Sequence, residues 1–189
     1  MKKTLVLMSL ILSVSGCAYM SQDVAIKPLL MEESSNVGAG KVIGLKISDE
    51  REDKDIGRRT NVYNMGAMIT NNQDLEEVFK EQMTTGLQNK GFEITPASNP
   101  EKALKIEIRS IKYTTSMGII RGGFLANASL KAIATNGTET YEKMYRASVD
   151  KKKFLIPFAD ANEAQINAAI SEAMKKLFSD KELFEFLAK

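Results

Sequence analysis

Four side chains are placed where their chemistry could be used: the lone thiol of Cys17, and Asp49, Arg51 and Arg58 in a polar stretch that follows an apolar run. A guanidinium is a planar fork that grips a carboxylate or phosphate through two parallel hydrogen bonds, so Arg51 and Arg58 beside Asp49 could hold an anionic ligand. The alternative is that Asp49 and Arg51 brace their own loop, as Asp does in turns. Glu50, Glu52, Asp53 and Asp55 lack the ordered spacing and central glycine of a calcium loop, and no metal site is expected. The 189 residues include no histidine, which removes Ser-His-Asp and Cys-His catalysis and His-liganded zinc. No nucleophile elbow or Ser-x-x-Lys setting stands out, and Gly38-Ala39-Gly40-Lys41 lacks phosphate-loop spacing. We therefore expect no enzyme, no catalytic residue and no cofactor.

Cys17 closes an ordered N-terminal pattern. Lys2 and Lys3 precede the apolar stretch 5–12, which ends in the small residues 13–16. This is the layout of a secretory signal, too short to span a bilayer. Val14-Ser15-Gly16-Cys17 resembles the bacterial lipobox, in which the thiol is diacylated, the chain is cut before the cysteine and the new amino group is acylated as well. The expected division is a signal peptide over 1–16, a lipidated N-terminus and tether over 17–40, and a globular α+β domain over 41–189. Within the tether, the apolar patches Val24-Ala25-Ile26 and Leu29-Leu30-Met31 could instead dock on the domain as an extended edge. No Asp follows Cys17 at the position that commonly retains such proteins in the inner membrane, so an outer-membrane anchor facing the periplasm is expected.

Cleavage also changes the charge. It removes two of the 26 basic residues and no acid, leaving 24 of each. A neutral mature chain has no electrostatic footprint for nucleic acid. Lys151-Lys152-Lys153, the one basic run of three, reads as a solvated turn.

The remaining pattern supplies the elements. Residues 41–48 form a short β-branched run, and Leu75, Val78, Phe79, Met83 and Leu87 recur at helical spacing between the N-cap candidates 71–74 and Lys90-Gly91. Strands are expected around Leu104–Tyr113, with a bulge near Arg109-Ser110, then around Phe124–Ala134 and Tyr141–Val149, the last two joined by a turn centred on Asn136-Gly137. Ile166, Ala169, Ile170, Ala173, Leu177 and Phe178 mark a second long helix, capped by Asp160 or Asn162. Ser179-Asp180-Lys181-Glu182 reads as a capping box opening a short third helix. The predicted fold is a single α+β domain: a four-stranded, mostly antiparallel sheet in the order β-α-β-β-β-α-α, with the helices packed on one face.

The lipobox cysteine, the strand Val42–Ile47 leading to Asp49-Glu50-Arg51 and Ile56-Gly57, the helix end Leu87-Gln88-Asn89-Lys90-Gly91-Phe92, and Tyr145-Arg146-Ala147-Ser148 together resemble the YajG-like uncharacterised lipoproteins of Gram-negative bacteria. The resemblance spans nearly the whole mature chain. It implies an outer-membrane lipoprotein without an assigned activity, and no catalytic residues to carry over. The function expected is a non-enzymatic interaction or scaffold module of the envelope, held to the membrane by its lipid and contacting an envelope protein. The alternative is an accessory lipoprotein binding a lipid or small ligand between helices and sheet. Ile119 and Ile120, in an apolar hairpin loop, are candidate partner contacts or core residues; Phe154–Phe158, joining the last strand to the second long helix, is expected to cover the core's edge.

Overall fold

The computed structural model describes residues 21–30, 34–60, 66–97, 100–117, 122–153 and 159–189. Its strands are β1 (Gln22–Asp23), β2 (Val42–Asp49), β3 (Gly57–Thr60), β4 (Gly66–Thr70), β5 (Glu93–Thr95), β6 (Lys102–Met117), β7 (Gly122–Asn136) and β8 (Glu139–Lys153). Its helices are α1 (Leu75–Asn89), α2 (Ala159–Phe178) and α3 (Lys181–Ala188).

The four-stranded, mostly antiparallel sheet is corrected. The eight strands form one mixed sheet, curled into a half-barrel, in which β1-β4-β3-β6-β2-β5 are neighbours and β7 and β8 extend from the other side of β6. β2 lies parallel to β5 and β6, and β3 parallel to β6, while β6-β7, β7-β8 and β3-β4 are antiparallel. The missed strands are the short ones. β1, β3, β4 and β5 have two to five residues each, too few to show alternation above background.

β6 explains the arrangement. β7 follows it along its whole length, but its other edge is shared: β2 pairs with it from Ala103 to Ile108 and β3 at Tyr113 and Thr114. Between them the register slips at Arg109, which has no partner on β7. The bulge resets the alternation, so Leu104, Ile106 and Ile108 before it, and Ile111 and Tyr113 after it, all face the core. β3 then rejoins very closely. A Cβ at Gly57 would lie 1.8 Å from the carbonyl oxygen of Tyr113, and its φ of 157° suits glycine alone.

The same side of the sheet carries the helices. Ala126, Ala128, Ala132 and Ala134 on β7 are buried, which lets α2 approach β7 and β8 closely, while α1 lies over β2 and β5. Asp74 caps α1, accepting from the Glu76 and Glu77 amides, and Gly91, at φ 84°, follows its end. Three details differ from expectation. The β7-β8 turn is centred on Gly137-Thr138, with positive φ at Gly137 alone, the type II′ pattern. α2 begins at Ala159, so Asp160 and Asn162 both lie inside it and neither caps it. Asp180 rather than Ser179 caps α3, because the Ser179 amide still bonds the Lys175 carbonyl of α2.

Residues 22–30 take the docked form of the tether. β1 pairs with β4, Val24 and Ile26 are buried, and the chain then runs extended along α2. The amides of Ala25, Lys27 and Leu29 donate to Glu163 Oε2 (2.9 Å), Asn167 Oδ1 (2.7 Å) and Ser171 Oγ (2.9 Å), and Asn167 Nδ2 returns a bond to the Ala25 carbonyl. The match is metric. Two residues of extended chain advance ~6.6 Å and four of helix ~6.0 Å, so alternate amides meet a stripe at i, i+4, i+8. At the far end Leu30 packs over Gly86 of α1, where a Cβ would come within 2.6 Å of its Cδ2.

Asn167→Leu is expected to lower unfolding stability by about 1 kcal/mol, since the exposed Lys27 amide and the half-buried Ala25 carbonyl lose their partner. Amide exchange should quicken at Ala25–Leu29 well before it does in β6 and β7, as hydrogen-exchange mass spectrometry would show.

Candidate functional site

The bulge of β6 also fixes the loop that holds the sequence candidates. β2 leaves the sheet beside Ile108 and β3 rejoins at Tyr113, so residues 50–56 must cross that gap. Arg51 closes it. Its Nε and Nη2 donate to the two carboxylate oxygens of Asp49, each at 2.8 Å, and Nη1 donates to the Lys54 carbonyl at 3.2 Å. Lys54 Nζ donates to the Asp49 carbonyl at 2.7 Å and pairs with its carboxylate at 3.2 Å. Lys112 of β6 holds the loop's other side through the Asp53 carboxylate and the Asp55 carbonyl.

This arrangement braces the loop. The Arg51 side chain is only 6% exposed and its fork is occupied by Asp49, so it presents no free donor pair to a ligand. Burial pushes the Asp49 carboxyl up, but hydrogen bonds from Arg51 and Lys54 and the Arg51 charge outweigh it and hold the group at about 2. Arg58 is not part of the cluster. It lies exposed on β3 level with Thr114, whereas Asp49 is level with Ile108, ~20 Å away along β6.

A second polar knot lies toward the β8 edge of the sheet, where α3 begins. Asp180 Oδ2 accepts from Tyr145 (2.6 Å) and Tyr141 (3.1 Å) and pairs with Lys143 Nζ (2.8 Å), while Oδ1 accepts from the Glu182 and Leu183 amides at the start of α3. Burial opposes the charge on Asp180, yet bonds from Lys143, Tyr145 and the Leu183 amide bring its pKa below the usual value. Burial and the neighbouring Asp180 carboxylate push the Tyr145 hydroxyl up, so it remains a donor. Every strong acceptor position of Asp180 is thus used to fasten α3 to β8. Sequence reasoning saw a cap here, but not the two tyrosines, which alternate along β8 at positions 141 and 145 and reach the cap only once β8 lies beside α3.

Two surface depressions accompany these features. One of about 450 Å³ lies beside Lys143, Asp180 and Lys176, and one of about 420 Å³ beside Lys46, Glu76 and Lys80; both open to solvent and neither enters the space between helices and sheet. That space is filled by Phe79, Met83, Leu87, Ile170, Leu177 and Phe178, each essentially inaccessible. Among the described residues no group of acids and thiols is gathered as metal ligands. Cys17, Ile119, Ile120 and the Phe154–Phe158 segment lie outside the described residues. Lys151–Lys153, expected in a turn, continue β8 opposite Phe124, Gly123 and Gly122.

Residues 28–188 match a family model described as an uncharacterised lipoprotein. The chain belongs to that family. No helix among the described residues of this lipoprotein is long and apolar enough to cross a membrane. No curated protein matches its sequence. Among solved structures, a neuraminyllactose-binding hemagglutinin homolog from Helicobacter pylori is similar at TM-score 0.50 and 10% identity, over 85% of this chain and 96% of that one. A protein of Xanthomonas campestris gives 0.51 and 12%, over 88% and 94%. At these identities the likeness is one of fold. The rare lipoprotein B of Shewanella oneidensis, at 0.39 and 13% over 73% and 88%, is a looser likeness.

The brace makes the lipoprotein's stability depend on acid. Asp49 titrates near 3.8 when unpaired and about 2 when folded, so its contribution is complete above about pH 4 and disappears as pH falls toward 2. Urea unfolding should show a loss of about 1–2 kcal/mol across that window, allowing for solvent screening. Asp49→Asn should remove that part of the pH dependence.

Proposed function

We propose that this lipoprotein is acylated at Cys17, anchored in the outer membrane facing the periplasm, and acts as a non-enzymatic interaction module that contacts an envelope protein through the free edge of β8. The observation that carries this reading is the edge itself. β8 has 15 residues, ~50 Å of strand, and pairs only with β7 among the described strands. Lys176 Nζ of α2 reaches this strand and donates to the Arg146 carbonyl at 2.8 Å.

A row of open backbone donors and acceptors is a template for an added strand. Exposed Glu142, Lys143, Arg146 and Asp150 keep it from pairing indiscriminately, since an unmatched chain would bring like charges together. The filled space between helices and sheet offers nothing comparable to a small ligand. The polar clusters hold loops and caps, which supports a binding role over a catalytic one.

Photocrosslinking side chains placed at Glu142 and Ser148 on the edge should trap a discrete envelope protein in intact cells, whereas one at Lys80 on α1 should not. Equal trapping from all three positions, or none from the edge, would sink the reading. For the anchor, Cys17→Ser should shift the protein from the membrane to the soluble fraction, and mass spectrometry of the wild type should find the acyl groups on Cys17.

A further inference from the structure

We propose that the open edge of β8 pairs with the same edge of a second copy of this chain, the two strands running antiparallel about a two-fold axis at Met144. This inference rests on the use of that edge proposed above and names the partner.

The register of β7 and β8 sets what an added strand would meet. Tyr145 and Ala147 lie opposite Leu130 and Ala128 and are buried on the side of the sheet that carries the helices. Even-numbered positions of β8 therefore face the other side, where Thr140, Glu142, Arg146 and Ser148 are exposed and Met144 is half-buried. Along that face the order is hydroxyl, acid, methionine, base, hydroxyl. Turned end for end, the row presents a base where it had an acid. Identical surfaces that meet about a two-fold axis must be self-complementary in this way. With Met144 on the axis, Glu142 of each copy lies opposite Arg146 of the other, and Thr140 opposite Ser148.

The backbone has the same parity. The Arg146 carbonyl, which takes the bond from Lys176, lies on the open side, and backbone groups alternate in direction along a strand. The even positions thus turn their N–H and C=O groups outward, and pairing over residues 139–149 forms about ten ladder hydrogen bonds. Lys176 leaves the Arg146 carbonyl a second lone pair for the incoming amide.

Other registers oppose like charges, which destabilises a cross-strand pair. Full overlap of the two strands, centred on Arg146, sets Arg146 against its own copy and Glu142 against Asp150 twice. With the axis at Ser148, Arg146 meets Asp150, but position 143 falls level with 153, lysine with lysine. The Met144 register opposes no like pair directly. Lys143 lies diagonal to its own copy there, and Asp180, at 2.8 Å, already balances it. On the outer face Lys131 holds Glu142 at 2.6 Å, so each side of the axis gains a Lys131–Glu142–Arg146 network shared between copies.

Met144→Cys places two thiols across the axis, where hydrogen-bonded partners have Cα atoms ~5.5 Å apart, within disulfide range. Full-length acylated Met144→Cys protein in intact cells, joined by oxidation or by a short bismaleimide, is expected to run as a covalent dimer on a denaturing gel. Ser148→Cys is not, because its two copies would stand ~27 Å apart. In the Met144→Cys protein, Glu142→Arg should cut the dimer about tenfold, as two attractive pairs become repulsive, and adding Arg146→Glu should restore it. Both of those side chains are exposed, so thermal unfolding should stay close to that of the Met144→Cys protein. Equal linking at positions 144 and 148, or a loss that Arg146→Glu does not restore, overturns the proposal. If Met144→Cys gives no dimer and the photocrosslinkers at Glu142 and Ser148 trap only a different protein, the proposal falls and the edge reading stands; if nothing is trapped, both fall.

Discussion

The single extra residue at Arg109 governs the arrangement of this molecule. A strand as long as β6 would ordinarily take one neighbour on each side along its length. Here the bulge bends it and ends its pairing with β2, so a second strand, β3, uses the rest of that edge. The consequences extend outward in order. The loop between β2 and β3 must span the gap and is closed by the Asp49–Arg51 pair; β4 follows β3, and β1 follows β4. Were β6 regular, Ile111 and Tyr113 would turn away from the core and the pairing that receives the N-terminal segment would be lost.

That segment shows how an extended chain can be buried without belonging fully to a sheet. Its backbone groups need partners wherever water is excluded. β4 serves those up to the Val24 amide, which bonds the Thr70 carbonyl; Asn71 Nδ2 then donates to the Val24 carbonyl and Gln73 Oε1 accepts from the Ile26 amide, while side chains of α2 take the alternate amides of Ala25, Lys27 and Leu29. Glu163, Asn167 and Ser171 therefore do for a strand what a neighbouring strand would do, because the helix repeat and the strand repeat nearly coincide over this distance. The result is a chain entry fixed in position rather than left to a flexible linker.

The strongest polar contacts are directed inward. Arg51 is spent on Asp49, and Asp180 on two tyrosines, a lysine and a helix cap. Among the described strands, what remains available to other molecules is backbone along the outer edge of β8.

The long elements were legible because each repeats its pattern often enough to rise above chance. Leu75 to Leu87 and Ile166 to Phe178 show helical spacing over several turns, and the alanines of β7 alternate over the nine residues Ala126–Ala134; even the bulge left its trace where the apolar register moves from Ile108 to Ile111. The Asp49–Arg51 brace was also readable, since its partners lie two residues apart. Strand partnership was not. β1, β3, β4 and β5 are too short to carry periodicity and exist because longer strands leave edges for them, and parallel pairing joins segments such as β2 and β6 that lie some sixty residues apart. The stripe Glu163-Asn167-Ser171 reads from sequence as an ordinary solvated helix face. It becomes a docking site only when the chain before β2 is laid across it. The sequence by itself determined local periodicity and the Asp74 cap of α1, because those depend on neighbours within a few residues; only the tertiary structure decided which edge of β6 is shared and where the segment from Gln22 joins the sheet, because those depend on contacts between distant segments.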